Sequence, residues 1–359
     1  MQNQVAIPVF KPWLTDLEKE YVAKAVEDGW VAIGRQVDEF AEALSRYIGV
    51  KYALPVCNGT AACHVAIAVH NFPMGSEIII PDTTFIATAN ACVYAGCVPV
   101  PVDVEAGSWC ISTVEIERAI TSKTVAVMPV HLYGEACRLV PLRALCQKYH
   151  LALIEDACEA LGSRTDCGTM AGAAGDTAAL SFYGNKTITT GEGGAFLTDD
   201  EALYRRAKMF IGHWQEGQYN HPVIGHNLRM SNLAAALGCA QMARIREILA
   251  GKCRVDGMYQ GLLGRQLFSR NSIPWAITGG TYSKELRATL LHDLADESIE
   301  TRPVFPPIRS QKPYLQHISC ITVARGLHDS GIVFPSYPQM SEEEFSRIAK
   351  VLRRHGVLP

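Results

Sequence analysis

Glu77-Ile78-Ile79-Ile80-Pro81 is an apolar run of strand length that closes on a proline, and the segments that follow it decide the fold. A helical pattern over 84–94 comes next, then Val98-Pro99-Val100-Pro101-Val102 and a helix over 113–120. A β-branched run over 124–130, a helix over 139–149 and Leu151-Ala152-Leu153-Ile154-Glu155 complete the series. Strands that alternate with helices of this length predict a mostly parallel sheet covered by helices on both faces. Ligands of such sheets sit at the carboxyl ends of the strands. Residues at those ends therefore come first in any search for chemistry.

Upstream, apolar positions at helical spacing predict helices over 14–28 and 37–47, a short strand over 52–56 and an apolar helix over 61–69. Downstream, 178–183 reads as a buried strand that breaks at Gly184-Asn185 and delivers Lys186 at its end. A helix over 201–210 follows, and Ser231 or Asn232 caps a long helix over 233–242 that continues to about 259. Beyond it the pattern is mixed: a strand over 274–278, a helix over 284–296, a strand over 332–334 and a terminal helix over 342–355. The expected organisation is a large α/β domain over 1–245 and a smaller α+β domain over 246–359.

Composition excludes several classes. The chain has 359 residues, 48% hydrophobic and 19% charged, which fits a folded globular protein with a large core. A net charge of −3 and the lack of a basic block give no electrostatic case for nucleic acid or a membrane surface. Residues 1–10 have no basic region leading into an apolar core, so no signal peptide is expected, and no apolar run is long enough to span a bilayer. The 12 cysteines lie singly, without a C-x-x-C, mostly inside apolar segments. Reduced thiols in a cytoplasmic protein are expected, with no metal site.

Three strand ends carry candidate residues. Lys186, followed by Thr187-Ile188-Thr189-Thr190-Gly191-Glu192-Gly193-Gly194, is either a surface lysine in a turn or a lysine that forms a Schiff base with an aldehyde cofactor. Asp156 is either the N-cap of the segment after it or the partner of a pyridinium N–H. His131 reads as a satisfied core histidine. Cys57-Asn58-Gly59-Thr60 places free N–H groups and a hydroxyl at a helix start, which is a phosphate site or a helix capped by Thr60. Two motifs fail: Gly184-Asn185-Lys186-Thr187 has Asn where a P-loop needs Gly, and Gly191-Glu192-Gly193-Gly194 lacks dinucleotide spacing.

Together these pieces resemble the DegT/DnrJ/EryC1/StrS sugar aminotransferase family of pyridoxal phosphate (PLP) enzymes, fold type I. The matching residues include Asn58-Gly59-Thr60-Ala61-Ala62, Pro81-Asp82-Thr83-Thr84-Phe85, His131-Leu132-Tyr133-Gly134 and Glu155-Asp156. They continue with Ser181-Phe182-Tyr183-Gly184-Asn185-Lys186, Asn227-Leu228-Arg229-Met230 and Glu300-Thr301-Arg302-Pro303. The resemblance implies that Lys186 would carry the cofactor and move the proton between carbons, and that Asp156 would pair with the ring nitrogen. Phe85 would stack on the ring, Gly59, Thr60 and Ser181 would hold the phosphate, and Glu159 would stand beside the cofactor. Asn227 would reach the phosphate of a neighbouring subunit, making a homodimer with shared sites. Trp30, Arg229, Arg302 and Arg309 would lie on the substrate side.

The implied reaction moves the amino group of L-glutamate, leaving 2-oxoglutarate, to a nucleotide-linked 4-keto-6-deoxyhexose, GDP-linked by the similarity of the 185–194 and 300–305 segments. UDP- or dTDP-linked sugars, and a regulatory relative that binds PLP without turnover, are the alternatives. A dehydratase branch of the family carries His at the lysine position, so Lys186 favours transamination. Pro306 and Arg309 stand where Tyr and His are usual, and His226 and Leu228 where aromatic residues are common. Arg309 reads equally as a diphosphate ligand or as a solvent-facing side chain.

Overall fold

Two amphipathic helices, α1 (Asp16–Glu27) and α2 (Arg35–Ile48), precede the alternating elements in the computed structural model, which describes residues 5–263, 269, 271–279, 282–315 and 322–356. Then come β1 (Tyr52–Val56), α3 (Gly59–Ala68), β2 (Glu77–Pro81), α4 (Ala87–Tyr94), β3 (Val98–Val102) and α5 (Thr113–Ala119). The series continues through β4 (Thr124–Val127), α6 (Leu139–Tyr149), β5 (Ala152–Asp156), β6 (Thr177–Ser181), β7 (Gly194–Thr198) and α7 (Glu201–Ile211). The isoleucines of β2 explain why the sheet is covered on both sides. Successive strand side chains point to opposite faces, yet Ile78, Ile79 and Ile80 are all fully buried. Ile78 and Ile80 pack with Ala61, Val65 and Cys92 of α3 and α4, whereas Ile79 packs with Ile116, Leu142 and Cys146 of α5 and α6.

The seven strands lie in the order β1-β7-β6-β5-β4-β2-β3. β7 runs antiparallel to both neighbours, β1 and β6, and the remaining pairs are parallel. Gly194, the first residue of β7, therefore pairs with the last residues of both β1 and β6, Val56 and Ser181. This register gathers the ends of β1, β5 and β6 at one edge of the sheet, beside the start of α3.

Three expectations need correction. β7 was not foreseen, because Ala195-Phe196-Leu197 is a short apolar run hidden behind a glycine-rich segment, and only its pairing with two strands makes it a strand. β6 ends at Ser181, so Lys186 stands five residues beyond the strand, in a turn where its N–H bonds the Tyr183 carbonyl at 2.9 Å. The long helix is two, α8 (Asn232–Ala243) and α9 (Ile245–Leu263). The chain leaves helical dihedrals at Arg244 (φ −106°, ψ 10°), whose guanidinium turns back to Glu18 and the Trp13 carbonyl. Ser231 does cap α8, accepting from the Ala234 N–H.

The remaining elements are β8 (Ile277–Gly279), α10 (Lys284–Asp296), β9 (Arg302–Pro303), α11 (Val323–Ser330), β10 (Ile332–Phe334) and α12 (Glu342–Arg354). Their sheet is antiparallel, ordered β8-β10-β9. Val255, Tyr259, Leu290, Phe334 and Ile348 form its core, and Ile7 and Val9 from the N-terminal segment join the same cluster. We propose that the second domain begins near 246, as the sequence suggests, with residues 7–9 packed into it. Among the described residues every cysteine is a free thiol, while Cys320 lies outside them. Among the described residues no helix is long and apolar enough to cross a membrane.

Candidate active site

β5 ends on Glu155 and Asp156, whose side chains alternate between the two faces of the sheet. A carboxylate taken out of water must be given hydrogen bonds in return. Glu155 accepts from Nε2 of His131 at 2.8 Å and from the N–H groups of Gly172, Ala174 and Gly175 at 2.9, 2.7 and 2.5 Å. Burial pushes its carboxyl up, but the His131 contact and the backbone donors outweigh that and hold it below the usual range. The Cys137 N–H donates to Nδ1 of His131 at 2.9 Å, so Nδ1 accepts and Nε2 carries the proton. His131 is thus a core histidine that braces the strand.

Asp156 faces a cavity of about 390 Å³. Thr88 Oγ1 donates to its Oδ2 at 2.7 Å and the Cys158 N–H to its Oδ1 at 3.1 Å. Thr88 also meets the Thr84 hydroxyl at 2.9 Å. At another wall of the cavity, Asn58 caps α3 by accepting the Ala61 N–H at 2.8 Å, which takes the capping role weighed for Thr60. Gly59 and Thr60, in the first turn, have N–H groups with no acceptor inside the helix. Gly59 must lack a side chain, because a Cβ there would stand 2.7 Å from Cβ and Oγ of Ser181.

Lys186 enters the same space with its side chain only 13% exposed. Nζ lies 3.2 Å from Oε1 of Glu159 and 3.8 Å from the centre of the Trp275 ring. Glu159 is itself fixed by the Tyr133 N–H, 2.9 Å from Oε2. Burial raises the Glu159 carboxyl above its usual value, and the pull of Lys186 and the Tyr133 N–H does not cancel it. Tyr133 has a positive φ of 55°, and Gly134 after it has φ 103° with main chain of residues 273–275 where a Cβ would be. The 273–276 segment thus comes close enough for Trp275 N–H to bond the Tyr133 carbonyl at 2.9 Å.

Gly59, Thr60, Phe85, Asp156, Glu159, Ser181 and Lys186 all line this one cavity. Their donor set fits PLP. A helix start with two hydroxyls suits a phosphate, a buried carboxylate suits a ring nitrogen, an amine suits an aldehyde, and the half-exposed Phe85 ring suits a flat cofactor. Asn185 adds a buried amide oxygen, Oδ1, that has no partner in the cavity wall.

The other expected residues lie elsewhere in the single chain. Asn227 and Arg229 are exposed, with Nε of Arg229 3.4 Å from Oδ1 of Asn227, and the 228–229 main chain bonds the end of β1. Trp30, 62% exposed, borders a second cavity with Gly34, Gln36 and Asn232. Arg302 is exposed and pairs with Glu300 at 2.5 Å. Arg309 is engaged by Asp82, its Nε 2.8 Å from Oδ2 and its N–H 3.0 Å from Oδ1. Thr88 and Trp275 escaped the sequence reading. Neither had a local signal: Thr88 works through Asp156, 68 residues on, and Trp275 through Lys186, 89 residues before it.

A mostly buried lysine beside Glu159, in a cavity that Asp156 also lines at the carboxyl edge of this sheet, is the site of a PLP-dependent aminotransferase. The DegT/DnrJ/EryC1/StrS aminotransferase family matches residues 12–353, and the chain belongs to it. A GDP-perosamine synthase of Escherichia coli O157:H7 is 38% identical over 347 residues, 94% of this chain and 95% of that protein. One from Caulobacter vibrioides is 36% identical over 369 residues, 98% and 99% of the two chains. Helicobacter pylori PseC, an aminotransferase involved in the biosynthesis of pseudoaminic acid, has the same fold, with a TM-score of 0.92 at 24% identity over 98% of this chain and 99% of that one.

Proposed function

We propose that the protein transfers the amino group of L-glutamate to GDP-4-keto-6-deoxy-D-mannose, giving GDP-perosamine and 2-oxoglutarate in the cytoplasm. The observation that carries this is Lys186 Nζ, held between Glu159 and Trp275 in the cavity that Asp156 faces. The two GDP-perosamine synthases, similar over almost their whole lengths, support the choice of sugar.

When bound, PLP supplies an aldehyde that holds an amine and a protonated ring that takes up the electrons of a broken C–H bond. The residues do the rest. Gly59, Thr60 and Ser181 bind the phosphate. Asp156, held by its bonds from Thr88 and Cys158, faces the ring nitrogen and keeps a proton on it. The Lys186 amine removes the α-proton of glutamate at Nζ and later returns a proton to the sugar carbon. Glu159, 3.2 Å away, keeps that amine oriented. Phe85 covers the cofactor and excludes water.

Asn227 is exposed in this chain, and we read it as serving the phosphate of a neighbouring subunit, with Trp30, Arg229, Arg302 and Arg309 near the sugar nucleotide. Ile224, 89% exposed and three residues from Asn227 in sequence, supports a covered surface there. The test is a panel of keto sugar nucleotides with glutamate, followed by 2-oxoglutarate release, on protein whose mass is measured by sedimentation. Release with the GDP-linked sugar by a dimer is expected. Release only with UDP- or dTDP-linked sugars would transfer the proposal to those substrates, no release with any would make the protein a non-catalytic relative, and an active monomer would end the shared-site reading.

A further inference from the structure

Lys252 of α9 is a second lysine near the site, and the chemistry above does not use it. It is 3% exposed, and its Nζ donates to the carbonyls of Trp275 at 2.7 Å and Ser336 at 2.6 Å. The described residues give it no carboxylate partner. Burying an amine this deeply is costly, so the two carbonyls it joins are the place to look for its use. Ser336 is anchored by its N–H on the Val9 carbonyl at 3.0 Å and by the Ile277 N–H on its hydroxyl at 3.2 Å. The other carbonyl belongs to the residue whose ring lies against the Lys186 amine.

Trp275 is held on every side. Its N–H bonds the Tyr133 carbonyl, its indole Nε1–H donates to the Asn185 carbonyl at 2.7 Å, and its ring stacks on Phe10 at 4.9 Å and 9°. Lys252 fixes the remaining group, the carbonyl. Between the two lysines lies a small chamber of about 10 Å³, bordered by Lys186, Lys252, Asn185, Thr187 and Gln241. That is about the space of one water.

We propose that Trp275 is a specificity-neutral platform for the reactive nitrogen, its π face favouring the cationic form, and that Lys252 is a positioning residue that holds this platform in place by its main chain. An aromatic face attracts a cation most strongly where water is excluded. The nitrogen of Lys186 is cationic both as a free ammonium and when it carries the cofactor with a proton on it. Burial pushes the Lys252 ammonium down to about 7, yet a neutral amine still has two N–H groups for two carbonyls. Its grip on Trp275 therefore survives loss of the proton.

This inference rests on Lys186 being the cofactor-bearing amine. Its test is the pH titration of the visible absorption band of the PLP-loaded protein, which reads the proton on the bound nitrogen without turnover. Glu159, Asp156 and Glu192 face Lys186 from the main cavity, with the thiols Cys63 and Cys158 and the phenol of Tyr183. Lys11, Lys252 and Tyr337 border the chamber behind. Of these, only Lys252 is altered in the test.

Trp275→Leu should lower the titration midpoint by about one pH unit, and Trp275→Phe by less. Lys252→Met should lower it too, and the double variant should match Trp275→Leu alone, because Lys252 acts through the ring. An unmoved midpoint in Trp275→Leu overturns the platform. A midpoint that rises or stays fixed in Lys252→Met, or shifts that add in the double variant, overturns the positioning role, since removal of a through-space positive charge raises it. If Lys252→Met does not load PLP, Lys252→Gln, which keeps N–H donors for the two carbonyls, should leave the midpoint near that of wild type, and a midpoint that rises in it overturns the positioning role. A wild type without any visible band is a different failure, that of the proposed function itself.

Discussion

At the scale of single residues, the site depends on how the almost wholly buried Asp156 is supplied with hydrogen-bond donors. Thr88 supplies the shorter of its two hydrogen bonds, 2.7 Å against 3.1 Å for the Cys158 N–H. Removing a donor to a charged acceptor in such a place leaves part of a carboxylate unpaired, at about 1.5–3 kcal/mol. Thr88→Val keeps the shape of the side chain, so it should slow glutamate-driven 2-oxoglutarate release by roughly 10- to 100-fold, with the fold intact by circular dichroism. A rate within twofold of wild type would show that the Cys158 N–H alone suffices. Asp156 and Lys186 were legible because strand-end positions and a glycine-rich turn mark them in the linear sequence. Thr88 and Trp275 were not, since what makes them functional is a contact with a residue 68 or 89 positions away. Local pattern carries no trace of such contacts.

At the scale of elements, the attachment of α1 to α8 depends on one buried carboxylate. Glu18, 2% exposed, accepts from the Thr15 N–H at 2.6 Å, Gln241 Nε2 at 2.7 Å and Arg244 Nη1 at 2.9 Å. Burial pushes its carboxyl up, but these donors outweigh it and bring it down to about 2 from an ordinary 4.5. A carboxyl lowered on folding stabilises the protein above its unfolded value, and that contribution is lost as pH falls through the folded one. Wild type should exceed Glu18→Gln by on the order of 3 kcal/mol at pH 7, and the gap should narrow from about pH 5 towards pH 2 in urea titrations. A gap unchanged across that range would assign the loss to packing.

The elements themselves were legible where an apolar run had clear ends. β2, β3, α6 and α10 fall where periodicity places them. β7 was obscured by its glycines, and the break between α8 and α9 by a continuous helical pattern. In both cases a distant partner decides the outcome: a pair of neighbouring strands for β7, and Glu18 for Arg244.

At the scale of the whole molecule, segments from both sheets meet at the site. The seven-stranded sheet and its loops contribute Lys186, Asp156 and the start of α3. Phe305 and Trp275 reach the same cavity from the segments flanking the second sheet, and Ile7 and Val9 pack into the core beside that sheet. The PLP-facing half of the site was readable because its residues follow the strands of one sheet in order. The substrate half was not, for Asn227, Trp30 and the arginines 229, 302 and 309 do not line the cavity that Lys186 enters, and Trp30 borders a different one. Everything still turns on which amine bears the cofactor, and the chamber behind Trp275 is bordered by three lysines, Lys11, Lys186 and Lys252. Borohydride reduction of the PLP-loaded protein, followed by digestion and peptide mass analysis, decides among them. A pyridoxyl adduct on Lys186, absent from the Lys186→Ala variant, is the predicted result; an adduct on Lys252 or another lysine, or none, would contradict the account.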